Sequence, residues 1–175
     1  VFQNNSGLAS ALNFAASLAN GKWLARIDAD DLMTENRLEV QHDIATSNDD
    51  LVCVFADHYD IDEYGNIHNI QSYPNSFKDL FSNLKSIKKF PSHSSALILK
   101  EAFDIVGGYN IYMKRTQDWD LWYRLSSIGK FQCINEPLLY IRSHNNQLSS
   151  GSGSRLQESY VMYAKIGRAS CRERV

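Results

Sequence analysis

Residues 21–31 read G-K-W-L-A-R-I-D-A-D-D. The apolar-rich run W-L-A-R-I has the length and composition of a short strand, and it leads into Asp28, Asp30 and Asp31. In open α/β sheets, ligands bind beyond the carboxyl ends of strands. Carboxylates this close resist ionising beside one another. A divalent cation relieves the repulsion. Hard oxygen ligands suit Mg²⁺ or Mn²⁺, which take one or two carboxylates and complete their shell with substrate phosphates. The stretch thus reads either as a seat for a metal and a diphosphate or as a solvated loop in which Asp31 caps the next helix.

The flanking sequence alternates helix and strand signals. Leu8, Ala11, Leu12, Ala15 and Leu18 recur at helical spacing, which predicts a helix over 7–19 stopped near Gly21. Thr34 is the expected N-cap of a helix over 35–46. L-V-C-V-F-A (51–56) reads as a buried strand, D-E-Y-G-N-I (62–67) as a turn and 76–84 as a short helix. S-A-L-I-L (95–99) reads as a strand and 100–108 as a short helix ending on glycine. A helix follows over 117–129, and F-Q-C-I and L-L-Y-I-R read as two late strands. Alternation of this kind predicts an α/β layered fold with a largely parallel sheet.

Bulk composition narrows the function. With 175 residues, 43% hydrophobic and 22% charged, the chain suits one globular domain with a core. A net charge of −2 gives no basic footprint for nucleic acid, and Lys85, Lys88 and Lys89 read as a solvated face. No apolar run has the length of a membrane span, and V-F-Q-N-N-S opens without the pattern of a signal peptide. Cys53, Cys133 and Cys171 show no metal-ligand spacing and read as free thiols.

S-S-G-S-G-S (149–154) is a low-complexity stretch, so the packed domain is expected over 1–148, with 149–165 a flexible stretch and the start of a C-terminal segment. I-G-R-A-S-C-R-E-R-V (166–175) resembles the translation of a common sequencing adapter and reads as an artefactual tail.

Several motifs in one order resemble family 2 glycosyltransferases, in particular bacterial enzymes that build surface polysaccharides. They are N-S-G-L-A-S-A-L-N (5–13), G-K-W-L-A-R-I-D-A-D-D, N-R-L-E-V-Q (36–41), H-S-S-A-L-I-L-K-E-A-F-D-I-V-G-G-Y (93–109), T-Q-D-W-D-L-W-Y-R-L (116–125) and L-Y-I-R-S-H-N-N-Q-L-S (139–149). The resemblance covers about residues 3–149. It implies a GT-A fold, a Rossmann-like and mostly parallel sheet flanked by helices. It implies a nucleotide-diphosphate sugar as donor, a saccharide or lipid-linked saccharide as acceptor, and Mn²⁺ or Mg²⁺ as cofactor. It also implies a cytoplasmic setting, with peripheral association at the inner face of the membrane left open.

Carried over residue by residue, the resemblance puts Asp28 at the nucleotide's ribose and Asp30 on the metal that bridges the phosphates. Asn5 and Gly7 fall in the loop near the nucleotide, although a glycine turn, with Asn13 as a helix-packing amide, explains the same letters. Asp118 matches the family's base, with Gln117 where the family often has Glu. Asp120 is a rival on another helix face, and either acid also suits the helix dipole. Trp119 and Trp122 read as sugar platforms or as core. His93 falls on the acceptor side, and His144 is a phosphate or metal candidate. Arg142 is the expected phosphate ligand by charge and position, while Arg26 and Arg37 are expected to form structural ion pairs near the acids. Family members begin with a strand-loop-strand unit carrying an acidic D-D-G-S-like stretch. No such stretch precedes Asn5, so a fragment lacking that unit is expected.

Two other classes fit parts of the pattern. A strand followed by D-x-D resembles the aspartate-nucleophile phosphatases, but L-M-T (32–34) matches their following residues poorly. A non-catalytic sugar- or Ca²⁺-binding module would use the same acids and Trp119 without a base. Dependence of turnover, but not of nucleotide binding, on Asp118 separates a transferase from such a module.

Overall fold

A computed structural model of the chain describes residues 4–113 and 115–143. The elements run α1 (Leu8–Leu18), β1 (Trp23–Ala25), β2 (Leu32–Met33), α2 (Arg37–Thr46), β3 (Leu51–Ile61), β4 (Ile67–Gln71), α3 (Phe77–Ser86), β5 (Leu97–Leu99), α4 (Lys100–Ile105), α5 (Gln117–Leu125) and β6 (Lys130–Arg142), with one 3-10 turn at His93–Ser95. The α/β layering expected from the sequence is present.

The strands form one sheet in the order β1-β5-β3-β6-β2, with β4 also paired to β3. Among the described residues only β3 and β6 pair in parallel; β1–β5, β3–β5, β3–β4 and β2–β6 are antiparallel. The sheet in the described residues is therefore mixed, which corrects the expectation of a largely parallel one. A parallel neighbour needs a crossover of about a dozen residues or more. The turn between β3 and β4 is too short for that, and Asp62 closes it by accepting from the main-chain N–H of Tyr64 and Asn66.

β3 explains why both sheet faces are covered. Its residues from Leu51 to His58 are all buried. Cys53 and Phe55 face a cluster built with Leu80 and Leu84 of α3, Leu121, Trp122 and Leu125 of α5, and Phe103 of α4. Val54 and Ala56 face the opposite side, where Ala45, Ile44 and Val40 of α2 pack. A continuous apolar run, rather than a strict alternation, is what a strand buried on both faces requires. Phe55 centres the first cluster, with edge-on contacts to Trp122 at 5.0 Å and Phe90 at 5.4 Å between ring centroids.

Several local expectations change. Thr34 does not cap α2. Its main-chain N–H donates to the Leu138 carbonyl, and Asn36 precedes the helix without a side-chain cap. The two late strands are one, β6, whose register with β3 slips around Asp57, where Ile134 is followed by Pro137. A proline without a donor is tolerated at such an irregularity. The α5 helix ends at Leu125, earlier than expected. No helix among the described residues is long and apolar enough to cross a membrane. The expected stretches at 149–165 and 166–175 lie outside the described residues.

Candidate functional site

β1 and β2 lie at opposite edges of the sheet, and residues 26–31 join them. The acidic stretch is thus a strap that carries the chain past β5, β3 and β6. Its start continues the ladder, with the Arg26 N–H donating to the Ala96 carbonyl at 3.0 Å. At its far end the Arg142 N–H donates to Asp31 Oδ1 at 3.0 Å.

Ser94, in the turn before β5, holds the strap together. Its Oγ accepts from Arg26 Nη1 at 2.8 Å and from the Asp28 N–H at 3.2 Å, and it meets both Asp28 Oδ2 and Asp31 Oδ2. Arg26 also pairs with Asp28. Beneath them, Arg37 of α2 is 1% exposed and reaches the carbonyls of Arg26 at 2.8 Å and Ser94 at 2.9 Å, while its Nε donates to Gln41. Burial lowers the Arg37 pKa to about 10, and the charge of Arg26 adds to the effect. The expected ion pair therefore exists for Arg26, while Arg37 donates to two carbonyls and an amide.

The three acids differ. Asp31 is buried, and burial raises its carboxyl above the usual range against the lowering effect of its bonds to Ser94 and Arg142. Asp28 is half-buried beside Arg26, and Asp30 is exposed. Among the described residues, no three His, Cys, Asp or Glu side chains converge as a metal cage. A Mg²⁺ or Mn²⁺ ion completed by phosphate oxygens needs only one or two carboxylates. The exposed Asp30 beside half-buried Asp28 fits that requirement.

Asp118 comes to the same region from α5. The one-turn spacing to Trp122 puts it above that 1%-exposed side chain, which is core and not a sugar platform. Burial raises the Asp118 carboxyl, while Arg26 lowers it and Asp28 raises it, so the base candidate feels the charges of the strap's Arg26–Asp28 pair. Thr116, just before the helix, adopts φ 58°, a left-handed conformation that a β-branched residue adopts at a cost.

His93 joins them. Its Nε2 lies 2.6 Å from the Tyr109 hydroxyl, and its ring stands edge-on to Trp122 at 5.8 Å. Burial and the charge of Arg26 hold its imidazole well below the usual value, so it is neutral.

The other sequence candidates are placed differently. Asn5 accepts from the Gly7 N–H in an exposed local turn, and Gly7 takes φ 87°. Asp120 is buried against Arg124, whose Nε and Nη2 both donate to its Oδ2 and whose Nη1 donates to the Val106 carbonyl. It serves the α4–α5 junction. Trp119 packs on Phe90 with ring centroids 5.8 Å apart. Arg142 donates from Nε to the Asp30 carbonyl and from Nη1 to the carbonyls of Asp62 and Glu63, so it clamps the strap to the β3–β4 turn. His144 lies outside the described residues. Asn13 is the packing amide that its place in the helix offered, its side chain bonding the Tyr109 main chain, whereas Ser94 and Tyr109 carry contacts that the sequence did not assign. Only the letters H-S-S before a strand hinted at Ser94.

Residues 1–107 match the family described as glycosyl transferase family 2. The chain is 28% identical over 137 residues to a chondroitin synthase of Escherichia coli, covering 78% of this chain and 19% of that protein. It is 32% identical over 169 residues to an uncharacterized glycosyltransferase of Methanocaldococcus jannaschii, covering 91% and 56%. Against a hyaluronan synthase of Pasteurella multocida the identity is 27% over 133 residues, covering 75% and 13%. The chain thus spans 13% to 56% of these relatives' lengths. Its fold resembles the crystal structure of S. aureus TarS residues 1–349, with a TM-score of 0.61 at 12% identity, over 81% of this chain and 42% of that one.

Proposed function

The chain belongs to glycosyltransferase family 2, and on that premise we propose that its protein moves a sugar from a nucleotide-diphosphate donor to an acceptor hydroxyl with inversion. The observation that carries this reading is Asp118, held at the start of α5 with a raised pKa and within electrostatic reach of Arg26 and Asp28. A carboxylate that holds a proton more tightly than usual is the better general base.

The acceptor oxygen bonds to the anomeric carbon as the carbon–oxygen bond to the diphosphate breaks. The electron pair leaves with the nucleoside diphosphate, and the acceptor proton passes to Asp118. Asp28, fixed by Arg26 and Ser94, orients the ribose, and Asp30 is the residue that would hold Mn²⁺ or Mg²⁺. Such an ion would supply Lewis-acid stabilisation of the leaving diphosphate. The names of two relatives, a chondroitin synthase and a hyaluronan synthase, support a role in polysaccharide synthesis; the acceptor in this reading is a saccharide or lipid-linked saccharide. We place the reaction in the cytoplasm.

The test is Asp118→Asn in the whole protein, with nucleoside diphosphate release measured over a panel of UDP-, GDP- and dTDP-sugars. Turnover is expected to fall by about 10²–10⁴-fold while Mn²⁺–UDP binding is unchanged. Retained turnover would remove Asp118 as the base.

A further inference from the structure

Four elements meet at one hydrogen bond. Asn13 of α1 grips the main chain of Tyr109 twice, its Nδ2 donating to the Tyr109 carbonyl and its Oδ1 accepting from the Tyr109 N–H, both at 2.8 Å. Gly108 makes that grip possible. It takes φ +64°, and an added Cβ would lie 2.6 Å from Asn13 Oδ1 and 3.1 Å from the Phe103 ring. The Tyr109 ring is 5% exposed and stands edge-on to Phe103 at 5.3 Å and to His93 at 5.4 Å. Its hydroxyl then meets His93 Nε2 at 2.6 Å, and the His93 ring abuts Trp122, one turn beyond Asp118.

The charged groups that face this pair are Arg26, Asp28 and Asp118. Burial keeps the Tyr109 phenol protonated; Arg26 opposes this, and Asp118 and Asp28 reinforce it. Both partners are therefore uncharged, with carboxylates and a guanidinium on either side. An imidazolium in this place would stabilise the Asp118 carboxylate and make it a weaker base. The neutral pair instead leaves Asp118 in poorly solvated surroundings without supplying a counter-charge.

We propose that the Tyr109–His93 hydrogen bond is a positioning device for Asp118, seating the first turn of α5 through Trp122 against the Arg26–Asp28 pair. The inference rests on the reading of Asp118 as the base. Neither residue touches the reacting atoms; both act through the carboxylate.

The test uses the whole protein labelled with carbon-13 at aspartate carboxyls, with the Asp118 resonance assigned from Asp118→Asn. Tyr109→Phe and His93→Leu are expected to admit water and move the Asp118 titration midpoint down by about one pH unit. His93→Gln, which keeps a partner for the hydroxyl, is expected to restore it. In turnover, Tyr109→Phe is expected to lower kcat by about ten-fold with the donor KM unchanged. A folded Tyr109→Phe protein with an unmoved Asp118 midpoint overturns the inference. Retained turnover in Asp118→Asn would instead overturn the base assignment, whatever the midpoint does.

Discussion

Asp28 and Asp31 meet at one hydroxyl: Ser94 Oγ lies within hydrogen-bond distance of a carboxylate oxygen of each. That oxygen carries one proton and two lone pairs. Arg26 Nη1 and the Asp28 N–H already use it as an acceptor, so it can donate to only one carboxylate at a time. The hydroxyl therefore serves two carboxylates with one proton, and Arg26 adds an ion pair to Asp28 alone.

Ser94→Ala removes that hub and leaves the buried Asp31 Oδ2 without its hydroxyl partner. The expected cost is about 1–3 kcal/mol of stability, read as a lower urea midpoint with unchanged slope. Weaker Mn²⁺–UDP binding should accompany it, because Asp28 loses its anchor. An unchanged midpoint would mean that water replaces the hydroxyl fully.

Asp30→Asn addresses the exposed acid. Calorimetry should show that the Mn²⁺-dependent part of UDP binding is lost, while the metal-independent part and the melting temperature stay as they were. Exposed substitutions usually change stability by less than about 0.5 kcal/mol. Metal-dependent binding that survives the change would move the ion to another ligand.

Burial raises the carboxyls of Asp31 and Asp118, so the folded chain holds their protons more tightly than the unfolded chain does. Their contribution to stability is fully present below the ordinary carboxylate range, about pH 4, and is lost as pH rises through the folded midpoints. Asp118→Asn should therefore flatten part of the fall in urea midpoint between pH 4 and neutrality. At pH 7 it should stabilise by about 1 kcal/mol, or about 2–4 °C, while removing turnover. A variant less stable than its parent at pH 7 would contradict the cost assigned to the ionised carboxylate.

Gly108→Ala forces a side chain into the left-handed region and against Asn13 Oδ1. A loss of about 1–3 kcal/mol is expected in denaturation. Combined with Asn13→Ala, which removes the obstructing amide, the two losses should add to more than the double variant shows. Simple additivity would mean that the backbone conformation alone sets the cost.

Much of this arrangement was legible in the letters. Apolar spacing marked α1, and the unbroken run at 51–56 marked a strand covered on both faces, because one side-chain period follows directly from one backbone geometry. β2 and β4 were not legible. Leu32 and Met33 are 52% and 46% exposed, and Ile67 and Ile70 are each 53% exposed, so burial had imposed no alternation to read. Strand direction was equally hidden, because an antiparallel neighbour and a parallel one share the same period.

For the site, the sequence by itself determined the chemistry on offer: three acids after an apolar run, and an aspartate opening an amphipathic helix. Their separate fates were decided by tertiary structure. Asp118 and Asp120 are two residues apart, yet one feels the charges of Arg26 and Asp28 and the other is closed in an ion pair with Arg124. Ser94, 66 residues beyond Asp28, became the strap's anchor only because β5 lies between β1 and β3. Local spacing specifies which face a side chain takes, whereas hydrogen-bond partners and desolvation depend on contacts between segments distant in the chain.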